Sequence, residues 1–143
     1  MWKAPPGAGR FRGTAVHASY ESVVAQSVEV SVKGERVKVH RVNCAIDCGT
    51  ALNPRAVRAQ MEGGIIFGLT AALFGEITVE KGRVQQQNFD AYRLLSLRDS
   101  PEVEVVLVNS GAKLGGVGEA GVPPTAPALC NAVLAGTECH WTD

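Results

Sequence analysis

The alternation of apolar and polar residues marks two neighbouring segments of the chain as β-strands. Residues 27–32 read Ser-Val-Glu-Val-Ser-Val, and residues 36–46 resume the alternation after a three-residue turn, with Val37, Val39 and Arg41 on one face. A period of two residues places every second side chain on the same side of a strand, so that one side faces a core and the other faces water. Two such segments joined by a short turn predict a β-hairpin.

A long helix follows this hairpin. Asn53 is a good N-cap residue, and Pro54 has the backbone angle required at the first helical position. From there the sequence favours a helix as far as Phe74, with Gly75 ending it. After Met61 the helix is apolar nearly all round, so its second half is predicted to be buried on every side.

The rest of the pattern completes an α+β fold. We predict two short strands at 76–79 and 83–88, a strand at 102–108, a loop rich in glycine and proline at 110–124, and a short helix from Thr125 to about Ala135. The predicted architecture is antiparallel hairpins packed on one long, glycine-rich, buried helix, plus the short C-terminal helix. Residues 1–9 are predicted to be a flexible leader, and residues 10–143 a single α+β domain.

Composition excludes several classes of function. The chain has 143 residues, with 14 Lys plus Arg and 14 Asp plus Glu, so net charge gives no reason to expect nucleic acid or an anionic membrane as partner. No apolar run approaches the roughly 20 residues of a membrane-spanning helix. Cys44 and Cys48 would lie about 13 Å apart in an extended strand, too far for one tetrahedral zinc site. We therefore expect no metal held by protein side chains, and reduced, mostly buried thiols.

Candidate chemistry is concentrated in the loop at 111–127. Five glycines fall in its first eleven residues, and Glu119 is its only acid. Such a loop can bring backbone amides close to a ligand while presenting one carboxylate. The alternative is a surface loop with a solvated glutamate. Residues 116–121 also match G-x-G-x-x-G, but Pro123 and Pro124 occupy positions where a phosphate-binding helix should already donate amides.

Three segments of the chain together resemble a known enzyme subunit. They are residues 13–26, residues 45–69 with Asp-Cys-Gly-Thr-Ala-Leu-Asn-Pro near the start, and residues 115–129 with Gly-Gly-Val-Gly-Glu-Ala-Gly. Their order and spacing resemble the molybdopterin-binding subunit of the xanthine dehydrogenase and aldehyde oxidase superfamily, and most closely the isoquinoline 1-oxidoreductase β-subunit branch. The resemblance covers about residues 2–135 and corresponds to the C-terminal part of that subunit.

The resemblance implies a function and a set of site residues. It implies a molybdenum hydroxylase that oxidises an aldehyde or an N-heterocycle with oxygen derived from water, using molybdopterin as cofactor in the complete enzyme. Glu119 would be the general base. The cofactor would be bound by a glutamine and two glycines of the long helix and by three residues of the loop: Gln60, Gly63, Gly64, Gly116, Val117 and Gly118.

The resemblance also implies partners. These are the remainder of the molybdopterin subunit, an iron–sulfur subunit that removes electrons, and a small aldehyde or N-heterocyclic substrate. Because most cofactor contacts would lie elsewhere, we expect this chain to bind no cofactor and to catalyse nothing alone. It would act in the cytoplasm, or in the periplasm if exported with a partner.

The chain departs from the family at two places, and a second interpretation stands beside the first. Residues 136–143 do not resemble the expected ending, and Ala120 stands where proline is expected. The alternative is a standalone protein that reuses the fold without redox chemistry, either as a binding module or as a self-associating module.

Overall fold

A computed structural model describes residues 5–137 of the chain. Four strands form one sheet in the order β1-β2-β3-β6, two short strands form a second sheet, and two helices accompany them. The elements in chain order are β1 (Phe11–Ser19), β2 (Ser22–Lys33), β3 (Arg36–Asp47), α1 (Pro54–Phe74), β4 (Val79–Glu80), β5 (Arg83–Val84), β6 (Glu102–Val108) and α2 (Thr125–Thr137). The predicted α+β class is confirmed.

The local predictions for α1, β6 and α2 are confirmed. Helix α1 begins after Asn53, whose side-chain oxygen accepts from the amide of Ala56 at 3.1 Å, and it ends at Gly75. Strand β6 covers the predicted residues and α2 begins at Thr125. However, β6 pairs parallel to β3, which alternation within a single strand cannot reveal.

The predicted two-stranded hairpin was incomplete, because the chain makes a three-stranded antiparallel meander. Strand β1 precedes β2 and turns into it through Tyr20 and Glu21, whose φ angles are 51° and 63°. A two-residue turn with two positive φ angles is normally signalled by Asn-Gly or Asp-Gly. Neither dipeptide is present here, so no residue pattern indicates a turn between β1 and β2.

The prediction that Arg41 shares a face with Val37 and Val39 was wrong. Strand β3 has one extra residue, His40, relative to β2. A bulge of this kind shifts the alternation by one position. Val42 therefore follows Val39 into the core, and Arg41 lies at the surface, 2.7 Å from Glu102.

Both helices pack on one face of the large sheet. This face presents the valines of β2 and β3, joined by Cys44, Ile46 and Val105, and α2 lies across β1 and β2. Gly13 permits this contact, because a Cβ atom there would fall 2.1 Å from the Ala132 amide nitrogen. Burial raises the pKa of the Cys44 thiol to about 12, so this thiol is not a reactive nucleophile.

The other cysteines are distributed between core and surface. Cys48 is buried and Cys130 is exposed, and neither is in a disulfide, while Cys139 lies outside the described residues. Within residues 5–137 no group of three or more His, Cys, Asp or Glu side chains could hold a metal ion. No helix in this part of the chain has the length and apolar character needed to cross a membrane.

Helix α1 is not buried on every side, contrary to the prediction. One stripe is buried, including Met61, Ile65 and Leu69, but Phe67 is 67% exposed and Gly63 is also exposed. Among the described elements, α1 packs mainly on α2 and β6, which cover only that stripe. The apolar outer side of the helix therefore lacks a partner within the described part of the chain.

The predicted strands at 76–79 and 83–88 were too long. Each segment contributes only two residues to the pairing of β4 with β5, and the side chains of these residues are exposed. The segment that follows β5 is attached to α1 by two contacts. The Leu95 amide donates to the Thr70 hydroxyl at 3.3 Å, and the Arg93 guanidinium lies 4.0 Å from the centre of the Phe74 ring. Alternation alone did not distinguish a true strand from an extended segment on the surface.

The face of the sheet opposite the helices, here called the open face, carries two kinds of surface. One row across the four strands alternates in charge, and the other end of the face is apolar. The charged row is Arg12, Glu29, Arg41 and Glu102, and the apolar end contains Val16, Val23, Val106 and Val108, all more than 40% exposed.

Glu29 joins the charged row to the N-terminal segment. It lies 2.7 Å from Arg10 and 3.4 Å from Arg12. The hydrogen bond from Arg10 is the largest cause that holds the pKa of Glu29 below its usual value, and burial opposes it. The Glu29 carboxylate is therefore charged in the folded chain at neutral pH.

We predict that Gly13→Ala strongly destabilises the chain. The added Cβ would meet α2 backbone atoms, so α2 must shift, at a cost of at least about 2 kcal/mol of unfolding free energy. Gly63→Ala is the matched control, because it has open space around the new atom and should stabilise α1 by up to about 1 kcal/mol. Urea unfolding of both variants measures this, and equal stabilities would contradict the packing of α2 on β1.

Candidate functional site

The loop between β6 and α2 lies across the end of the large sheet and is first attached to the end of β3. The Ser110 hydroxyl donates to the Asp47 carboxylate at 2.9 Å, and the Gly115 amide donates to the Cys48 carbonyl at 3.0 Å. Gly49 has φ +70°, and a Cβ atom there would lie 2.3 Å from the Lys113 carbonyl oxygen. The two backbones are in contact at a position that has no room for a side chain.

A second attachment joins the loop to the turn between β1 and β2. The Gly116 amide donates to the Tyr20 carbonyl at 2.8 Å, and the Gly116 carbonyl accepts from the Ser22 hydroxyl at 2.8 Å. A Cβ atom on Gly115 would lie 2.7 Å from the Glu21 carbonyl oxygen. The turn that the sequence did not predict therefore supports the loop that it did predict.

A third attachment is made inside the protein. The side-chain amide of Gln26, on β2, donates to the Gly121 carbonyl at 2.7 Å. The Thr125 hydroxyl lies 2.9 Å from both the Gln26 side-chain oxygen and the Gly121 carbonyl. Gln26 and Thr125 both have 0% exposure. A buried polar network of this kind fixes one geometry, because leaving any member unpaired costs free energy.

Helix α1 contacts the same part of the loop. A Cβ atom on Gly64 would lie 3.4 Å from the Gly121 backbone, and one on Gly121 would lie 3.1 Å from the Met61 carbonyl oxygen. Gln60 precedes Met61, is exposed, and lies one turn before Gly64 on the same side of the helix. The structure thus brings the glutamine-bearing part of α1 next to the loop that carries Glu119.

Glu119 lies between these attachments. Its carbonyl accepts from the Val122 amide at 2.8 Å, and the next residue, Ala120, is buried. The Glu119 side chain itself is exposed. The loop is bonded to the sheet at Gly115 and Gly116 before Glu119 and at Gly121 after it, where it also packs on α1, while the Glu119 side chain is exposed.

The other predicted site residues of the loop have different surroundings. Gly116 packs on Tyr20, and Val117 packs against the core. Gly118 is exposed, and a Cβ atom there would meet nothing within 4 Å. Within residues 5–137, the amides of Val117, Gly118 and Glu119 donate to no other group of the chain, an arrangement typical of loops that bind oxygen-rich ligands.

Gly63 is the predicted residue that the structure separates most clearly from the loop. It is exposed, and apart from its chain neighbours and the adjacent backbone of α1, no atom of the described chain lies within 4 Å of the position of a Cβ. Gly64, one residue further on, is the helix glycine that meets the loop backbone. No contact within the described residues explains a glycine at position 63.

Sequence reasoning missed Gln26, Ser22 and Gly49 as supports of the site. Gln26 was detectable in principle, because the alternation of side chains along β2 places it on the same face as Val24, Val28 and the other core valines. A polar residue on a buried face requires a hydrogen-bond partner inside the protein. Ser22 and Gly49 carried no comparable signal. Their role depends on the path of a loop more than sixty residues away.

These residues fit the group that the resemblance implies. The exposed amide of Gln60, the unbonded loop amides and the bare surface at Gly63 and Gly118 offer donors and close access to a large polar ligand. The described residues lack a cluster of metal-binding side chains.

The chain folds into a domain in which a glycine-rich loop with one exposed carboxylate packs against a helix. The family model of the molybdopterin cofactor-binding domain matches residues 4–101, more than half of the chain. The chain therefore belongs to the molybdopterin cofactor-binding domain family. The predicted resemblance and the predicted cofactor class are confirmed.

Individual relatives agree with this assignment. The isoquinoline 1-oxidoreductase subunit beta of Brevundimonas diminuta is 35% identical, over 97% of this chain and 18% of that protein. The nicotine 6-hydroxylase large subunit of Paenarthrobacter nicotinovorans is 32% identical, over 68% of this chain and 13% of that protein. The chain spans less than a fifth of the length of these curated relatives.

Solved structures show the same fold. A crystal structure of a Cu,Mo carbon monoxide dehydrogenase superimposes with a TM-score of 0.73 and 26% identity, over 82% of this chain and 16% of that chain. Quinoline 2-oxidoreductase from Pseudomonas putida 86 superimposes with a TM-score of 0.70 at 22% identity, over 82% of this chain and 16% of that chain, a likeness of fold alone.

We predict that Gly115→Ala detaches the loop from the sheet. Its Cβ would collide with the Glu21 backbone, whereas Gly118→Ala, the matched control, adds an atom in open space. Trypsin cleavage after the exposed Lys113 should accelerate in Gly115→Ala by about tenfold, for a loss of about 1.4 kcal/mol of local stability, and should not change in Gly118→Ala. Unchanged cleavage in both variants would refute the second attachment.

Proposed function

We propose that this chain is the C-terminal part of the molybdopterin-binding subunit of a molybdenum hydroxylase, with Glu119 as the general base. The reaction is oxidation of an aldehyde or an N-heterocycle with oxygen derived from water. The observation that supports the proposal is the position of Glu119: one exposed carboxylate on a loop that is hydrogen-bonded to the sheet and packs on α1 at Met61, the residue after Gln60. Family membership supports the cofactor.

The chain's own residues have defined tasks in this proposal. The Glu119 carboxylate takes the proton from the water-derived oxygen as that oxygen bonds to the substrate carbon, which is the work of a positioned general base. Gln60 and the amides of Val117 and Gly118 would bind polar groups of the cofactor, and the open space at Gly63 and Gly118 would allow its close approach. Gly64 and Gly116 would shape the site from behind, because they let the loop lie against α1 and Tyr20. When bound, molybdopterin supplies the metal centre that accepts the substrate's electron pair.

We infer that the chain does not catalyse this reaction alone. Glu119 is exposed in the described chain, whereas a general base works best in a site from which water is excluded. The rest of a larger subunit would enclose Glu119, since the relative from Brevundimonas diminuta is more than five times as long as this chain. An iron–sulfur subunit would remove the electrons. Their compartment, cytoplasm or periplasm, would be that of the partner.

Molybdenum content provides the first test of this proposal. The chain, tagged and purified with its bound partners from cells that make the cofactor, should carry about one molybdenum per chain and oxidise an N-heterocycle. The chain purified alone should carry none. Glu119→Gln should retain the metal and lose turnover by a factor on the order of 10² or more. Full turnover by Glu119→Gln would eliminate Glu119 as the base, and a metal-free complex would eliminate the hydroxylase function.

Self-association is the second candidate function, and the open face favours it. The Ser27 hydroxyl and the Asn43 side-chain oxygen lie in the same row of this face, are buried, and lack a partner among the described residues. A two-fold axis parallel to the strands would place β1 of one copy on β6 of the other and β2 on β3. Ser27 would then oppose the partner's Asn43, and because both groups are covered in the single chain, neighbouring side chains must shift before the Ser27 hydroxyl donates to the partner's Asn43.

The same operation matches the charges. Arg12 would oppose the partner's Glu102, and Glu29 would oppose the partner's Arg41, so each unlike pair is formed twice. Val16 would oppose the partner's Val106 at the apolar end, where both side chains are exposed. The open face is therefore complementary to a second copy of itself.

Sedimentation equilibrium distinguishes a dimer from an open face covered by another part of the enzyme. The wild-type chain should dimerise at about 10 µM, a free energy near −7 kcal/mol. Val16→Arg and Val106→Glu should each give monomers, and the double variant should restore the dimer by opposing unlike charges. A monomeric wild-type chain would rule out self-association and leave the face to the remaining subunit.

A further inference from the structure

The buried side chain of Gln26 stands out because it connects three parts of the fold near Glu119. It lies on β2, has 0% exposure, and bonds the Gly121 carbonyl through its amide group and the Thr125 hydroxyl through its oxygen. Gln26 and Gly121 are 95 residues apart in the chain. An uncharged amide is rarely buried without function or strong pairing.

Gln26 acts on the loop close to Glu119. Gly121 is two residues beyond Glu119, and the intervening Ala120 is buried. The Val122 amide donates back to the Glu119 carbonyl at 2.8 Å, which closes a tight turn around these residues. A fixed Gly121 carbonyl therefore fixes the direction in which the chain presents the Glu119 side chain.

The attachments before Gly118 lie too early in the loop to replace this one, and the Thr125 hydroxyl, which lies 2.9 Å from the same Gly121 carbonyl, is also bonded to the Gln26 side-chain oxygen. The bonds of Gly115 and Gly116 to the Cys48 and Tyr20 carbonyls hold the loop before the unbonded stretch that includes Gly118. After that stretch, the Gln26 amide is the side chain on the sheet that holds the loop. Thr125, the other donor near Gly121, lies on α2 and reaches this position because Gly68 of α1 has no side chain.

We propose that Gln26 is a positioning residue that sets the location of the Glu119 carboxylate. This inference rests on the proposed function of Glu119 as general base, and Gln26 itself touches neither substrate nor cofactor. Displacement of a reacting group by about 1 Å can cost on the order of 10² in rate. Loss of the bond to Gly121 should accordingly lower turnover while the fold and the cofactor-binding residues of α1 are retained.

Hydrogen exchange on the full chain tests whether Gln26 holds the loop, and this test does not require an active enzyme. In Gln26→Met, which has similar volume but no amide, the Val122 amide should exchange about tenfold faster, whereas the Gly115 amide at the earlier attachment should not change. Gln86→Met is the matched control, because the Gln86 side chain bonds Thr78 at an exposed site, and neither residue is part of the loop. Equal exchange of the Val122 amide in wild type and Gln26→Met would overturn the proposal.

Gln26→Glu provides a pH-dependent rescue that a simple packing role would not give. A protonated carboxyl group can donate to the Gly121 carbonyl as the amide does, and an ionised one cannot. Burial and this bond favour the protonated form, which raises the folded pKa of the introduced group. In Gln26→Glu the Val122 amide should exchange as slowly as in wild type at low pH, and faster than in wild type once the pH rises through that folded pKa. Loss of protection at all pH values would count against the proposed bond.

Kinetics of the assembled enzyme test the functional half. Gln26→Met should lower kcat by about ten- to a hundredfold with KM and molybdenum content unchanged. In the Glu119→Gln background it should have no further effect, because the base it positions is gone. If Glu119→Gln is fully active, the proposed function fails. If Glu119→Gln is inactive but Gln26→Met keeps wild-type kcat, only the positioning role fails, and lost molybdenum would likewise overturn it.

Discussion

Direct contact between backbone segments, at positions that have no room for a Cβ atom, determines how this domain is assembled. Helix α2 reaches the sheet at Gly13, the loop reaches the end of β3 at Gly49, and it reaches the first turn at Gly115. Side chains fill the core between these points, but the glycines set the distances between the segments. The candidate site lies where the loop contacts converge, so its geometry depends on the absence of side chains as much as on the presence of Glu119.

Local signals in the sequence predicted the elements whose causes are local. Asn53 and Pro54 determine the start of α1, and alternation over 102–108 determines β6. The turn at Tyr20 and the bulge at His40 were missed because both are imposed by the surrounding sheet and carry no residue signature of their own. The exposed side of α1 was mispredicted for a different reason. Apolar residues indicate that a surface needs a partner, but they do not say which chain supplies it.

The candidate site was predictable in its chemistry and unpredictable in its support. Glycine density and a single acid marked the loop of Glu119, and the family resemblance assigned roles to it and to Gln60. Nothing in the sequence placed β2 beneath that loop, because the contact joins residues 95 positions apart. The alternation of buried and exposed side chains along β2 identifies Gln26 as a buried polar residue. Its partner becomes known only when the path of the loop is known. The division follows the range of the interactions: short-range preferences are encoded locally, and long-range ones are not.

The parallel pairing of β3 with β6 has a consequence for the order of folding. Strands β1, β2 and β3 are joined by tight turns and can associate quickly, whereas Arg41 and Glu102 are 61 residues apart. Closing so long a loop costs conformational entropy, and this cost arises before the contacts between β3 and β6 can stabilise the structure. We expect the meander to form early and β6 to join it late. The loop that carries Glu119 follows β6 in the chain, so the candidate site is completed in the slowest step of folding, after most of the sheet already exists.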